Sequence, residues 1–271
     1  MNRLGQPIKW HGGKFYLAPK LIDLFPPHVH YVEPYFGGGA VLFAKPAEWV
    51  EGHSEVVNDL NGELMNFWRV LADEYHFPRF CRVIQAVPFG EAIWNHNREA
   101  SPLSEVDCAV AFFVRYRQSR QGLGKDFATL SRTRTRRGMN EQASSWLSAI
   151  EGLPEAHERL KRVVILNGDA IKVIRQQDGP GTFFYLDPPY LHGTRVTTGD
   201  YEHEMTEDQH AELLITLGKI RGRFMLSGYR SSLYDASAES HDWRRMDFPI
   251  DCKASGAKEK PKRVESVWMN Y

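Results

Sequence analysis

The chain has 271 residues, with 34 Lys and Arg against 34 Asp and Glu, and so carries no net charge at neutral pH. At 42% hydrophobic and 12% aromatic residues it has the makeup of an ordinary globular protein, long enough for one domain or two. No apolar run reaches the length of a membrane span, no signal-peptide segment opens the chain, and three scattered cysteines suggest neither disulfides nor zinc, so a cytoplasmic protein is expected.

The first stretch of note is Ile8-Lys9-Trp10-His11-Gly12-Gly13-Lys14, followed by a helix-period run from Phe15 to Phe25 that Pro26-Pro27 ends. Two glycines let backbone approach a ligand closely, Lys14 offers a point charge for a carboxylate or phosphate, and Trp10 offers a flat wall. A plain surface turn has the same letters. Tyr31-Val32-Glu33-Pro34 then reads as a short strand running into Tyr35-Phe36-Gly37-Gly38-Gly39, with a helix expected from Ala40. Strand, glycine turn and helix is how nucleotide-binding α/β folds open, although this is not the dinucleotide pattern and a flexible turn is the alternative. Glu55-Val56-Val57 is a second strand ending at Asn58-Asp59. Asp59 lies 22 residues after Gly37, the place where an acidic side chain meets ribose hydroxyls. It could equally cap the periodic helix expected over Leu60 to Leu71.

From about Tyr75 to Leu160 the α/β rhythm stops. Helical stretches are predicted near Asp107 to Arg117 and Ser144 to Ile150. Between them, Arg115, Arg117, Arg120, Lys125, Arg132, Arg134, Arg136 and Arg137 face Asp126 alone within 23 residues. That one-sided charge in a neutral chain points to a polyanion partner, and the alternation of Arg132, Arg134 and Arg136 suits one face of a β-ribbon in a major groove.

The rhythm resumes at Arg162 to Leu166, a third strand. Asp169 follows it, suited to an amino or hydroxyl donor or to capping the next helix. Gly181-Thr182-Phe183-Phe184-Tyr185-Leu186 is aromatic and apolar, as a buried central strand should be, and it stops at Asp187-Pro188-Pro189-Tyr190 because neither proline has an N–H for the ladder. Asp187 is thus a carboxylate at the carboxyl end of a central strand, where open α/β sheets place ligands. Its carboxylate and the Pro188 carbonyl can each accept one proton of an exocyclic amine, while Tyr190 stacks on the ring. Thr206 and Gln209 are spaced as a capping box, Arg223 to Tyr229 is a fifth strand and its loop, and Trp243 to Ile250 with Val264 to Tyr271 alternate like a hairpin. The hairpin loop is basic (Lys253, Lys258, Lys260, Lys262, Arg263). His203 and His210 lack zincin spacing, so no metal is called.

The glycine turn and the Asp-Pro-Pro-Tyr strand are about 150 residues apart. Three strands with crossovers need about half that, at ~30 residues per βαβ unit. The basic region is the surplus. The division expected is therefore 1–74 with 161–271 as one domain and 75–160 as an insertion.

Lys-Trp-x-Gly-Gly-Lys at 9–14, Glu-Pro-Tyr-Phe-Gly-Gly-Gly-Ala at 33–40, Asn-Asp-Leu-Asn at 58–61 and Asp-Pro-Pro-Tyr at 187–190 together resemble the DNA adenine N6-methyltransferases of the Dam family, in their alpha order. The resemblance implies an α/β, Rossmann-like sheet of seven strands with an antiparallel last strand. It implies S-adenosylmethionine as cofactor, double-stranded DNA as partner, and a mainly helical target-recognition insert with a β-hairpin. Carried over, Trp10 and Lys14 line the methionine end, Pro34 and the turn Phe36, Gly37, Gly38, Gly39 pass beneath the cofactor, Asp59 holds the ribose, and Asp169 faces its adenine. Asp187, the cofactor's neighbour in such sites, holds the target base with Pro188 and Tyr190. Ala170 departs from the pattern, offering no aromatic wall beside Asp169. The eight cations above then become DNA contacts, and a monomer is expected, with any companion nuclease unknown. Cytosine N4 methylation, or a catalytically silent DNA-binding subunit on the same fold, are the alternatives.

Overall fold

The computed structural model describes residues 4–46, 52–191, 205–251 and 262–271. His203, Lys253, Lys258 and Lys260 lie outside them. Nine strands occur among the described residues: β1 (His30–Glu33), β2 (Ser54–Asp59), β3 (Thr135–Arg136), β4 (Met139–Asn140), β5 (Val164–Asn167), β6 (Thr182–Leu186), β7 (Arg223–Gly228), β8 (Arg244–Asp251) and β9 (Lys262–Met269). Seven form one sheet in the order β5-β2-β1-β6-β7-β9-β8, and β3 with β4 make a separate two-stranded ribbon.

The β1 strand is parallel to β2 and β6, and β6 to β7, whereas β9 runs antiparallel to both β7 and β8. This is the Rossmann-like arrangement that the motif order implied, with the last strand reversed. All five residues of β6 are buried, as a strand flanked on both sides and covered on both faces must be. The hairpin expected near the end is β8 and β9, and β9 is the inner of its two strands.

By Cα packing the chain divides into two units: 1–24, 36–52 and 61–167 form the first, and 25–35, 53–60 and 168–271 the second. The second unit's core is built on Phe183, Phe184, Phe224, Leu226 and Trp268, all fully buried, with Phe25 edge-on to Phe183 at 4.5 Å. At roughly 1.5–3 kcal/mol for each such side chain taken out of water, this set alone outweighs any surface interaction in the unit. The first unit holds a second aromatic core. Phe67, Trp68, Phe80 and Phe113 are fully buried, with Phe67 stacked on Phe113 at 5.8 Å. The helix Gly62–Ala72 supplies two of these rings, and Glu105–Arg117 supplies Phe113. Residues 75–160 fall wholly within this unit and share its core with Gly62–Ala72.

Several local expectations change. The first helix covers only Ala18–Ile22, and Phe15 and Tyr16 stay exposed. After the glycine turn there is a 3-10 turn at Leu42–Ala44 and not the start of an α-helix; Lys45 is extended, as the residue before Pro46 must be. Asp59 is not a helix cap. The helix starts two residues later than predicted, and Asn61 Oδ1 accepts the Leu64 N–H at 2.9 Å. The region 75–160 has five helices where two were predicted: His76–Ala86, Glu91–Glu99, Glu105–Arg117, Glu141–Glu151 and Leu153–Leu160. The Thr206–Gln209 capping box is present with both of its hydrogen bonds. Among the described residues, no helix is long and apolar enough to cross a membrane.

Candidate active site

Register across the sheet assembles the first part of the site. Leu186 is level with Leu226, and Leu226 with Trp268, so Asp187, one step on, stands beside Ser227, whose partner on β9 is Val267. Glu265, two residues from Val267, shares its face of the pleat. Ser227 Oγ reaches Asp187 Oδ1 at 3.2 Å and Glu265 Oε1 at 3.1 Å. The Tyr190 hydroxyl reaches the same two oxygens, Asp187 Oδ1 at 3.3 Å and Glu265 Oε1 in a short contact. Two carboxylates and two hydroxyls therefore form one cluster. Glu265 and Ser227 are 1% and 0% exposed, while Asp187 is half-buried at its edge. Tyr229 meets the Tyr190 ring edge-on at 4.7 Å and orients it.

Two phenols, the buried Tyr234 and the half-buried Tyr35, are perturbed by nearby acids. Tyr234 accepts or donates a hydrogen bond with His210 Nδ1 at 2.9 Å, and burial, aided by the charge of Asp187, raises its pKa well above the ordinary tyrosine value. Tyr35 is raised in the same way, first by burial and then by Tyr234, Asp169 and Asp59. Tyr35 thus feels the charges of Asp169 and Asp59, and Tyr234 that of Asp187. Asp169 caps the helix Ala170–Gln177 through Oδ1, which accepts the Lys172 N–H at 2.9 Å. Asn58, 0% exposed, ties two loops together by donating to the carbonyls of Pro34 at 3.0 Å and Gly168 at 2.9 Å. Its Oδ1 is buried without a hydrogen-bond partner among the described residues.

In the other unit, the glycine turn is shaped by close approach. Gly37 and Gly39 have positive φ (49° and 69°), and a Cβ on Gly38 would lie 2.6 Å from Trp10 Cβ and 2.5 Å from Gln6 Nε2. Gln6 donates to the Gly38 carbonyl at 2.8 Å and Trp68 Nε1 to that of Gly37 at 3.0 Å. Trp10 packs on Tyr116 and Phe112 at 5.1 and 6.2 Å, so its wall is itself walled in. Phe36 is buried, and Lys14 is 4% exposed with Nζ donating to the Gly12 carbonyl at 3.3 Å.

The eight cations of the basic segment divide into two groups. Arg115 is ion-paired with Glu63 and lies over the Tyr116 ring at 4.9 Å. Arg117 is half-buried, donates to the Ser145 carbonyl at 3.2 Å, and is pushed down to about 10 by burial. Arg137 sits at the tip of the β3–β4 turn with φ 56° and forks onto Glu151 at 2.9 and 2.8 Å. Arg134 stands 3.8 Å from Glu141. The expectation that this segment has almost no negative company is thus corrected: the carboxylates come from elsewhere in the chain. Arg120, Lys125, Arg132 and Arg136 are exposed. The ribbon is also shorter than the alternating arginines implied. Of that series only Arg136 lies in it, because Ser131 Oγ accepts the N–H groups of Thr133 and Arg134 at 3.3 and 3.1 Å and turns the chain there.

Sequence reasoning missed Ser227, Glu265, Tyr35, Tyr234 and Asn58. Tyr35 and Asn58 stood inside quoted motifs. Glu265 had one signal, an acid at the head of the apolar run that ends in Val267, Trp268 and Met269.

Known proteins bear on the site. A type II methyltransferase of Lactococcus lactis subsp. cremoris is 28% identical over 223 residues, covering 72% of this chain and 69% of its own. A type II methyltransferase of Methanocaldococcus jannaschii is 23% identical across 97% of this chain and 98% of its own. A DNA N-6-adenine-methyltransferase of Escherichia phage P1 shares 36% identity over 70 residues, 26% of this chain and 8% of its own. The profile of the D12 class of N6 adenine-specific DNA methyltransferases matches residues 10–243, most of the chain and, Lys9 apart, every motif that carried the resemblance. The chain belongs to that class.

Proposed function

We propose that this DNA adenine methyltransferase takes its methyl group from S-adenosylmethionine and passes it to N6 of an adenine swung out of the duplex, with Asp187, Pro188 and Tyr190 holding the base. The observation that carries the reading is Asp187 fixed at the end of a wholly buried strand and followed by two residues without N–H groups. The base must leave the stack to reach any such recess. An aromatic amine is a poor nucleophile because its lone pair is delocalised into the ring. The Asp187 carboxylate and the Pro188 carbonyl each accept one N6 proton, which draws the nitrogen toward tetrahedral geometry and returns the lone pair to it. Asp187 takes the proton that N6 releases once the new N–C bond has formed. Holding the amine in that pose supplies much of the acceleration.

The chemistry of the acceptor set fits the proposed cofactor. Asp59 and Asp169 offer carboxylates to ribose hydroxyls and to an exocyclic amine, and the buried Asn58 Oδ1 is an acceptor in want of a donor. The sulfonium cofactor, when bound, would supply an electrophilic methyl and keep the electron pair of the broken S–C bond as a neutral thioether. Trp10, Lys14, Pro34 and the Phe36–Gly39 turn are proposed for its methionine end and the passage beneath it. Residues 75–160 are proposed as the target-recognition region, with Arg120, Lys125, Arg132 and Arg136 as its phosphate and base contacts. The adenine specificity of the class sets aside the cytosine N4 alternative, and the intact Asp187 argues against a silent subunit.

Incubating the purified protein with S-adenosylmethionine and unmethylated duplex DNA, then identifying nucleosides by mass spectrometry, tests the reading. N6-methyladenine is the expected product. N4-methylcytosine, or no modified base on any duplex, overturns it.

A further inference from the structure

We propose that Asn58 is a positioning residue for the nucleoside end of the cofactor: one buried carboxamide clasps the carboxyl ends of β1, β2 and β5, and so fixes the spacing of Asp59 and Asp169. The inference rests on the reading of S-adenosylmethionine as the cofactor, with Asp59 at its ribose and Asp169 at its adenine.

Asn58 is the next-to-last residue of β2, the strand that lies between β5 and β1 in the sheet. It is 0% exposed, and its Nδ2 donates to the Pro34 carbonyl at 3.0 Å and to the Gly168 carbonyl at 2.9 Å. Both partners are carbonyl oxygens, which only a donor can face, so chemistry sets which way the amide is turned. Each of its two N–H groups goes to a different neighbour, since Pro34 follows β1 and Gly168 follows β5. The register of β1 with β2 ends at Glu33 opposite Val57. One residue further on, the Asn58 side chain carries the link past the end of that ladder. Its Oδ1 is buried and takes no hydrogen bond among the described residues, so what the side chain gives the fold is its two N–H groups.

Each of the three joined residues directly precedes one at the site. Pro34 precedes Tyr35, Asn58 precedes Asp59, and Gly168 precedes Asp169. A carbonyl shares its planar peptide unit with the next residue's nitrogen, so holding the first fixes where the next Cα stands. Asp169 is held a second time, its Oδ1 accepting the Lys172 N–H at 2.9 Å. That Tyr35 feels the charges of both Asp169 and Asp59 is what such a clasp would produce. All of these residues belong to the second unit. A side chain that only held the sheet together would act on stability and on every activity alike. A clasp on two ligand-facing acids acts on one ligand, and on its nucleoside half.

Asn58→Leu keeps the branched shape and removes both donors. It is expected to raise the dissociation constant for S-adenosylmethionine about tenfold in calorimetric titration, the scale of losing two hydrogen bonds. Methylthioadenosine, which shares the nucleoside and lacks the amino-acid end, should lose the same factor when measured as a competitor. DNA affinity should stay within roughly twofold, and the single-turnover rate, reduced at low cofactor, should return to within roughly twofold of wild type at saturation. In an Asp59→Ala background there is less to position, so Asn58→Leu should cost roughly threefold or less in cofactor affinity. An undiminished cost there overturns the proposal. So does unchanged affinity for S-adenosylmethionine, a loss absent with methylthioadenosine, or an equal loss in DNA affinity or in the saturated rate. If melting shows that Asn58→Leu does not fold, Asn58→Ser, with one donor on a smaller side chain, decides. Cofactor affinity weakened by about threefold or more with the saturated rate kept supports the clasp, and affinity equal to that of the wild type refutes it. The wild type and Asp59→Ala separate this inference from the reading beneath it. A wild type that takes no S-adenosylmethionine, or an Asp59→Ala that binds it unimpaired, sinks the cofactor site itself. A weakened Asp59→Ala beside an unimpaired Asn58→Leu sinks only the clasp.

Discussion

Charge is used in opposite ways in the carboxylate cluster and in the basic segment. At the ends of β6, β7 and β9, two acids are brought together from positions 187 and 265, and both are held by hydroxyls in a mostly buried setting. Between Arg115 and Arg137 the cations are adjacent in sequence, yet the fold separates them. Some are neutralised by Glu63, Glu141 and Glu151, and others are left at the surface. Like charges far apart in the chain thus meet, and like charges close together are divided. The first arrangement spends stability on chemistry; the second spreads its field over a face, where salt and water weaken each contribution.

The largest effect should come from the cluster. Asp187→Ala is expected to reduce methyl transfer by at least ~10²–10³, the usual cost of one preorganised polar group, with DNA affinity nearly unchanged. A rate within tenfold of wild type, with N6-methyladenine still formed, would place the amine acceptor elsewhere. Next is Tyr190→Phe, which keeps the ring for stacking and removes the hydroxyl that bridges Asp187 and Glu265. A loss of roughly tenfold in rate is expected, in the range of a hydrogen bond to a charged group. A variant as fast as wild type would mean that the ring does all the work.

The basic segment should respond in binding and not in rate. Arg136→Ala, on the exposed ribbon, is expected to flatten the slope of log K against log salt by about 1 on every duplex. Arg137→Ala, whose guanidinium is already forked onto Glu151, should leave that slope almost unchanged. Equal slopes for the two would show that ion pairing within the protein does not decide which cations meet DNA. The smallest expected effect is a pH dependence of stability. Burial, with Arg117 adding to it and Glu141 opposing, lowers Lys9 to about 8 from its ordinary 10.5. The folded chain therefore binds fewer protons than the unfolded chain between those values, and stability should rise with pH across the window. Lys9→Met should raise the melting temperature below pH 8, with the gain fading as pH approaches 10.5. A gain independent of pH would assign it to packing alone.

What could be read in the sequence was what is local. The β6 strand with its proline stop and the Thr206–Gln209 capping box each depend on residues within a few positions of one another. Asn61 was harder, since the run Asn58-Asp59-Leu60-Asn61 offers three side chains able to cap and only the fold chooses among them. Glu265 could not be assigned at all. Its partners are 38 and 75 residues away, and only the register of three strands brings them to it. The carboxylates that neutralise the basic segment escaped for the same reason, Glu63 being 52 residues from Arg115.

The pairing of Asp187 with Glu265 also bears on how the enzyme can be inhibited. A neutral adenine needs acceptors but not two negative charges. The nitrogen that has just gained a methyl group and has not yet lost its proton is a cation, and two carboxylates suit it far better. Small molecules that carry a fixed positive charge on a flat ring, at the place of that nitrogen, should therefore outbind the natural base. Their advantage should shrink with Glu265→Gln, which makes the variant a ready check that such a compound occupies the intended recess.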